Sequence, residues 1–402
     1  MSQRASSLGK LLNSTSVASF VAASIAAAVA ASIALAVLAP SVSAQFTAEM
    51  EVEFPEGFGL LSNVRELPDG RVLVADPLGQ ILAALDMDAG TMDMWGREGG
   101  GPREYRQPDA VYALPGDSTL LVDLGNGRLM VIAPDGSFVR SRPIAVGGGA
   151  TPGNPGGMQI AIPRVVDGEG RIYFPLRAFG GSEDSTAIAR VGWASDVVET
   201  VARYKPREVQ QSGSGGRISI QALPMSPEDD WAVGLDGTIA LVRAADYHVD
   251  VIHPDGRVSK GPEVDHTRIR PRDAEKQAWL DDAASSGLSI RMSFGGGQQE
   301  VQFSRGGPGG NRSIDDLDWP DRMPSFRSGS TRIDPEGRIW VGRSTRAGEP
   351  SLFDIFDGEG RPIAQVTLDP NSSIVGFGAD GALYTTRTDF VGLQWLQRRR
   401  VR

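Results

Sequence analysis

Six charged residues stand at one repeated place in the chain. Asp76, Asp123, Arg177, Arg243, Arg343 and Arg387 each follow, by six or seven residues, a glycine that closes a turn. If these places share one face of the fold, four arginines and two aspartates crowd together there. Arginine clusters suit carboxylate, sulfate or phosphate, because the planar guanidinium donates two parallel hydrogen bonds. The same side chains could instead tie loops together, as Asp123 could with Arg128, and both readings stay open.

Other chemistries find little support. The glycine-rich stretch from Gly96 to Pro102 is not followed by Lys and Ser/Thr, so it is no phosphate-binding loop. There is no G-x-S-x-G elbow for a nucleophilic serine. The chain has no cysteine, which excludes disulfides, thiol catalysis and thiolate metal sites. Its three histidines are His248, His253 and His266. The first two lie five apart on an expected strand and so face opposite ways, which implies no zinc pair. Asp315, Asp316, Asp318 and Asp321 lack the spacing of a calcium loop and read as a solvated face.

The elements that must position these residues form a repeat. Each unit has an apolar strand, a turn ending in glycine, a second apolar strand, a loop, a third strand, a turn and a fourth strand. The first turns are Pro68-Asp69-Gly70, Pro115-Gly116, Asp167 to Gly170, Asp236-Gly237, Pro335 to Gly337 and Asp380-Gly381. Such pairs favour hairpins because glycine takes the positive φ that the turn needs. The second strands, such as Arg71-Val72-Leu73-Val74 and Arg338-Ile339-Trp340-Val341, are apolar almost without alternation. Both their faces should therefore be buried, as in sheets packed radially between neighbours. The expected fold is all-β: a six-bladed β-propeller with four-stranded antiparallel blades. In a propeller, the six charged strand ends would share a face with the blade-to-blade linkers.

Gly237 and Gly337 are 100 residues apart, room enough for a seventh blade. An insertion over 265–327, between blades four and five, is the preferred reading. Pro271 to Ser285 has a helical pattern there, and Gly295–Gly297 and Gly306–Gly310 read as loop.

The run from Leu121 to Leu129, ending at Pro134-Asp135-Gly136, resembles the NHL repeat, as does the linker from Gly99 to Pro108. The chain resembles bacterial exported six-bladed propellers related to NHL proteins. That resemblance implies fold more than function. Some such propellers are lactonases or lyases with an axial metal held by acids and amides at the starts of inner strands. It implies Asn63, Asp109 and Asp230 as candidate ligands for one divalent metal, calcium or zinc. The matching places in units three, five and six are read as Ile160, Gly329 and Ser372.

Residues 1–44 read as an export signal. Arg4 and Lys10 precede an apolar stretch from Val17 to Ala39, and Val42-Ser43-Ala44 offers a cleavage site before Gln45. The stretch is long, so an uncleaved membrane anchor is the alternative. Without Arg4 and Lys10, 38 basic residues face 50 acidic ones, a net charge of −12. That balance disfavours nucleic acid and anionic membranes as partners. The sequence therefore points to a periplasmic or secreted monomer over 45–402. It would bind a small anionic ligand or a protein without a cofactor, and a metal-dependent hydrolase or lyase is the alternative.

Finally, the alternation of Phe46, Ala48, Met50, Val52 and Phe54 with Glu49, Glu51 and Glu53 predicts a strand that pairs beside 393–400 and closes the ring.

Overall fold

Asp69 and Asp236 each accept from the N–H two residues on, and Asp167 and Asp334 from the N–H four residues on, in turns that lead into largely buried strands. The computed structural model describes residues 44–146, 159–176, 185–212, 219–295, 298–305 and 312–402. The signal-like segment 1–43 lies outside these residues. Among the described residues no helix is long and apolar enough to cross a membrane.

Half of the strands among the described residues fall into four antiparallel sheets of four. The first sheet is Val64–Glu66, Val72–Asp76, Ile81–Asp86 and Thr91–Met94. The second is Pro108–Ala113, Thr119–Asp123, Arg128–Ile132 and Phe138–Pro143. The third is Val165–Val166, Ile172–Leu176, Thr186–Val191 and Glu199–Tyr204, and the fourth is Asp230–Val233, Ile239–Arg243, His248–Ile252 and Val258–Lys260. A fifth sheet has eight strands. Arg332–Ile333, Ile339–Gly342, Pro350–Phe356 and Pro362–Pro370 form one half, and Ser372–Phe377, Ala382–Thr388 and Gln394–Val401 belong to the other. The strand Ala44–Phe58 joins the halves.

The sheets are arranged as in a propeller. The first strands of successive sheets touch in order, and Ser372–Phe377 returns to Val64–Glu66. Strand Val72–Asp76 shows why its sequence does not alternate. Val72 and Val74 pack with Ala382, Tyr384 and Leu396 of the last strands, whereas Leu73 and Ala75 pack with Leu121 and Met130 of the second sheet. Each fully buried side chain of this size is worth about 1.5–3 kcal/mol.

A side-chain device fixes several turns. Asp334 accepts from the backbone N–H and Nε of Arg338, and from Trp340 Nε1 at 2.8 Å. Asp167 repeats this with Arg171 and the Tyr173 hydroxyl. The glycine between, Gly337 with φ 81°, occupies the left-handed region that other residues enter at a cost.

The strand Ala44–Phe58 pairs parallel with Ala364–Thr367 and then antiparallel with Gln394–Val401. Glu49 bonds Arg402 at 3.0 Å, and Glu51 bonds Arg400 at 2.7 Å and Arg398 at 3.2 Å. Glu53 turns instead to Arg387. A register shift between Met50 and Val52 breaks the expected alternation. Met50 is therefore 53% exposed, whereas Phe54 is wholly buried.

Between the fourth and fifth sheets lie a helix, Asp273–Ser286, and a hairpin of Leu288–Gly295 with Gln298–Arg305. Of the expected loop Gly295–Gly297, Gly295 is in the hairpin, paired with Gln298, and residues 296–297 lie outside the described residues. Gly306–Gly310 lies outside the described residues.

Candidate functional site

The first strands of the sheets converge, and the residues at their starts form a charged group. Those starts carry Asn63, Asp109, Arg164, Asp230, Arg332 and Ser372. Two of the expected places differ. Ile160 pairs with Ala145 in a separate two-stranded ribbon, and Gly329 sits in the turn before its strand. The strands of the third and fifth sheets start later, so Arg164 and Arg332 take those positions.

Each candidate metal ligand already has protein partners. Asn63 donates to the Val111 carbonyl at 2.6 Å and accepts from the Val111 N–H at 3.0 Å, locking the first sheet to the second. Asp109, buried, takes Nε and Nη2 of Arg305 at 2.6 and 3.0 Å. Asp230, buried, is ion-paired with Arg164 and accepts from the N–H and hydroxyl of Thr331 at 2.9 and 2.6 Å. A divalent cation at these acids would have to displace two guanidinium groups. Among the described residues no three acidic or histidine side chains converge as metal ligands do. The donor set does not fit a calcium or zinc centre.

What converges here is arginine. Arg164 lies 4.5 Å over the Trp231 ring. Arg332 donates to the carbonyls of Gly329 and Thr331 at 2.7 and 2.9 Å, and among the described residues it forms no ion pair. Tyr112, between the two pairs, donates to the Pro163 carbonyl at 3.0 Å. Three arginines thus meet two aspartates.

Electrostatics follow from that imbalance. Burial and then the charge of Arg164 push the Arg332 guanidinium below its usual value. Burial alone would raise the Asp230 carboxyl, but Arg164 and Thr331 hold it below its ordinary range. The Tyr112 phenol is pushed up by burial, with Asp109 adding to the effect.

The charged ends of the second strands are engaged elsewhere. Asp76 accepts four backbone N–H groups, from Gly59, Leu60, Leu78 and Gly79, at 2.7–3.0 Å. Asp123 takes Arg128 Nε at 3.0 Å, Asn126 and the N–H of Arg106. Arg243 bridges Asp229 and Asp250 at 2.9 and 2.8 Å. Arg343 bonds Asp354 at 2.5 Å, and Arg387 bonds Glu53 at 3.2 Å. Arg177 lies outside the described residues. The five described residues are clamps with separate partners, not a row of open guanidinium groups.

Beside Arg243 is a cleft of about 390 Å³ that includes Lys205, Asp229 and Lys260. Within it His248 is buried, with Nδ1 2.6 Å from Asp246 and Nε2 3.1 Å from Asp250.

No family model matches the chain, and no curated protein matches it. The NHL-like character of 99–136 therefore rests on those residues alone. Solved structures of propeller proteins are similar in fold. A DUF4221 family member from Bacteroides vulgatus is 8% identical, with 90% of this chain and 98% of that chain covered and a TM-score of 0.45. A gluconolactonase from Xanthomonas campestris is 10% identical, with 90% and 97% covered and a TM-score of 0.40. A streptogramin B lyase is 14% identical, with 89% and 98% covered and a TM-score of 0.36. Likenesses this distant transfer no activity to this chain.

Sequence reasoning missed Arg164, Arg305, Arg332 and Tyr112. The Val-Val pair after Arg164 is too short to announce a strand, and Arg305 comes from a hairpin remote in sequence from Asp109.

Proposed function

We propose that this chain is an exported six-bladed propeller that binds a small anionic ligand where its inner strands converge, without catalysing a reaction. The observation that carries the reading is Arg332. It is charged, lies beside Arg164, and among the described residues donates hydrogen bonds only to backbone carbonyls, with Asp230 near enough to act on its charge. An arginine that forms no ion pair among the described residues is a ready partner for a carboxylate. The eight-stranded sheet supports six blades if it is counted as two, stitched by Ala44–Phe58. The net charge fits a small anion reaching a local positive site better than it fits a polyanion. Export with cleavage before Gln45 leaves a periplasmic or secreted monomer, and N-terminal sequencing of the exported protein checks it.

Malonate, a small dianion, serves as the probe. It should bind the wild-type protein, and Arg332→Ala should weaken it about tenfold or more. A charge-assisted hydrogen bond contributes about 1.5–3 kcal/mol, and 1.4 kcal/mol is a factor of ten. Equal affinity in the two proteins would overturn the assignment.

A further inference from the structure

A serine and a histidine 59 residues apart form a hydrogen-bonded pair near the two ends of the segment between the fourth and fifth sheets. Ser325 Oγ lies 2.7 Å from Nε2 of His266, and Nδ1 of the same ring lies 3.2 Å from the Val264 carbonyl. A carbonyl can only accept, so Nδ1 carries the hydrogen. In the neutral ring Nε2 is then the acceptor, and the Ser325 hydroxyl points its proton at it. Both residues are held in place. His266 packs edge-on against the buried Tyr247, with ring centres 5.8 Å apart, and the Val264 N–H donates to the Tyr247 carbonyl at 2.9 Å. On the other side the Ser325 carbonyl accepts from the Ser344 N–H at 3.2 Å, and the next residue, Phe326, is buried.

The chain supplies its own contrast. Among the described residues a second histidine touches a serine, with His253 Nε2 3.1 Å from Ser259 Oγ. There the hydroxyl proton is already committed, because Ser259 donates to Glu359 at 2.5 Å. Hydrogen bonds from Arg257 and Ser259 hold that carboxyl down to about 2, so it only accepts. His253 must therefore donate to Ser259 and takes no proton from it. Among the described residues, only at Ser325 does a hydroxyl face a ring nitrogen that can accept, on a ring oriented by a third group. That arrangement activates a nucleophile. Ser325 and His266 are both partly exposed, and Asp265 and Thr267 beside the ring are exposed, so a small reagent reaches the pair from solvent.

We propose that Ser325 is an acylation site that takes the acyl group of a small activated carboxylic ester, with His266 as its general base. Ser325 Oγ attacks the ester carbonyl carbon while its proton passes to His266 Nε2. The bond between that carbon and the leaving oxygen then breaks, and the leaving group departs with the electron pair. The proton on Nε2 goes to the leaving group or to solvent, and the ring returns to its first state. Nδ1–H keeps the Val264 carbonyl throughout, so the imidazolium that forms stays oriented. The product is the acylated protein itself. None of these residues belongs to the axial group, so each reading can fail without the other.

The test is incubation of the wild-type protein with p-nitrophenyl acetate, with peptide mass spectrometry to place the acetyl group. Ser325 should be acetylated, with a matching release of p-nitrophenolate, while Ser259 stays unmodified. Ser325→Ala should remove that acetyl group. His266→Gln should slow the acetylation about a hundredfold, because a general base contributes about 10²–10⁴-fold. The comparison of Ser325 with Ser259 is made within the wild-type protein and serves if the glutamine variant does not fold. No acetyl group on Ser325, equal labelling of Ser259, or an unchanged rate in a folded His266→Gln variant would each overturn the proposal.

Discussion

Arg305 grips Asp109 through two nitrogens, at 2.6 and 3.0 Å, across 196 residues of sequence. The arginine ends the hairpin after the helix, and the aspartate opens the second sheet. This contact puts a guanidinium on an aspartate that the resemblance to lactonase-like propellers would give to a metal. Asp109→Asn should weaken it and release the hairpin. Amide exchange over Gln298–Arg305 should then quicken while the second sheet keeps its protection. Unchanged exchange would mean that other contacts hold the hairpin.

Asp76 and Asp123 should be structural. Asp76→Ala would leave four backbone N–H groups without their acceptor, and hydrogen bonds to charged groups are worth about 1.5–3 kcal/mol each. Chemical denaturation should show a loss of several kcal/mol for either alanine variant, with malonate affinity retained in the folded protein. Loss of affinity without loss of stability would return these acids to a binding role.

Closure by Ala44–Phe58 rests on apolar burial more than on charge. Phe54→Ala should cost about 3–5 kcal/mol, because the ring is wholly buried. Glu51→Gln should cost about 0–1 kcal/mol, as its arginine pairs are partly exposed. Deleting 45–54 should expose the edge of Gln394–Val401 and promote aggregation. A deletion variant that melts like the intact chain would contradict this.

Stability should also fall in acid. Asp230 is held below its ordinary 3.8 in the folded state. A depressed carboxyl contributes stability that is present above 3.8 and is lost as pH falls through its folded value. Asp230→Asn should be destabilised at pH 7, and its difference from wild type should shrink as pH drops below about 4. Melting curves between pH 2 and 7 check this, and a constant difference would show that the charge of Asp230 contributes nothing.

The strands and turns were legible because they depend on local chemistry. Asp236-Gly237 must turn, and Val72 to Ala75 must be buried on both faces wherever they lie. That the strand from Phe46 to Phe54 pairs beside 393–400 followed from its alternation, although the register shifts at Met50 and Glu53 turns to Arg387. One local signal went unread: an acid, an arginine four residues on and an aromatic six on, as in Asp334, Arg338 and Trp340. The site was much less legible. The repeat aligned the ends of second strands correctly, but whether Arg243 is free depends on Asp229 and Asp250, which alignment does not show. Arg332 stands out only once the partners of its neighbours are known.

The most direct measurement of the central claim is a pair of calorimetric titrations on the mature wild-type protein, one with malonate and one with calcium. Binding of malonate, weakened by Arg332→Ala, with no heat from calcium, is the result expected of an arginine site whose acids are already taken. Binding of calcium that disappears in Asp109→Asn or Asp230→Asn, with no response to malonate, would contradict the account and return the axis to a metal.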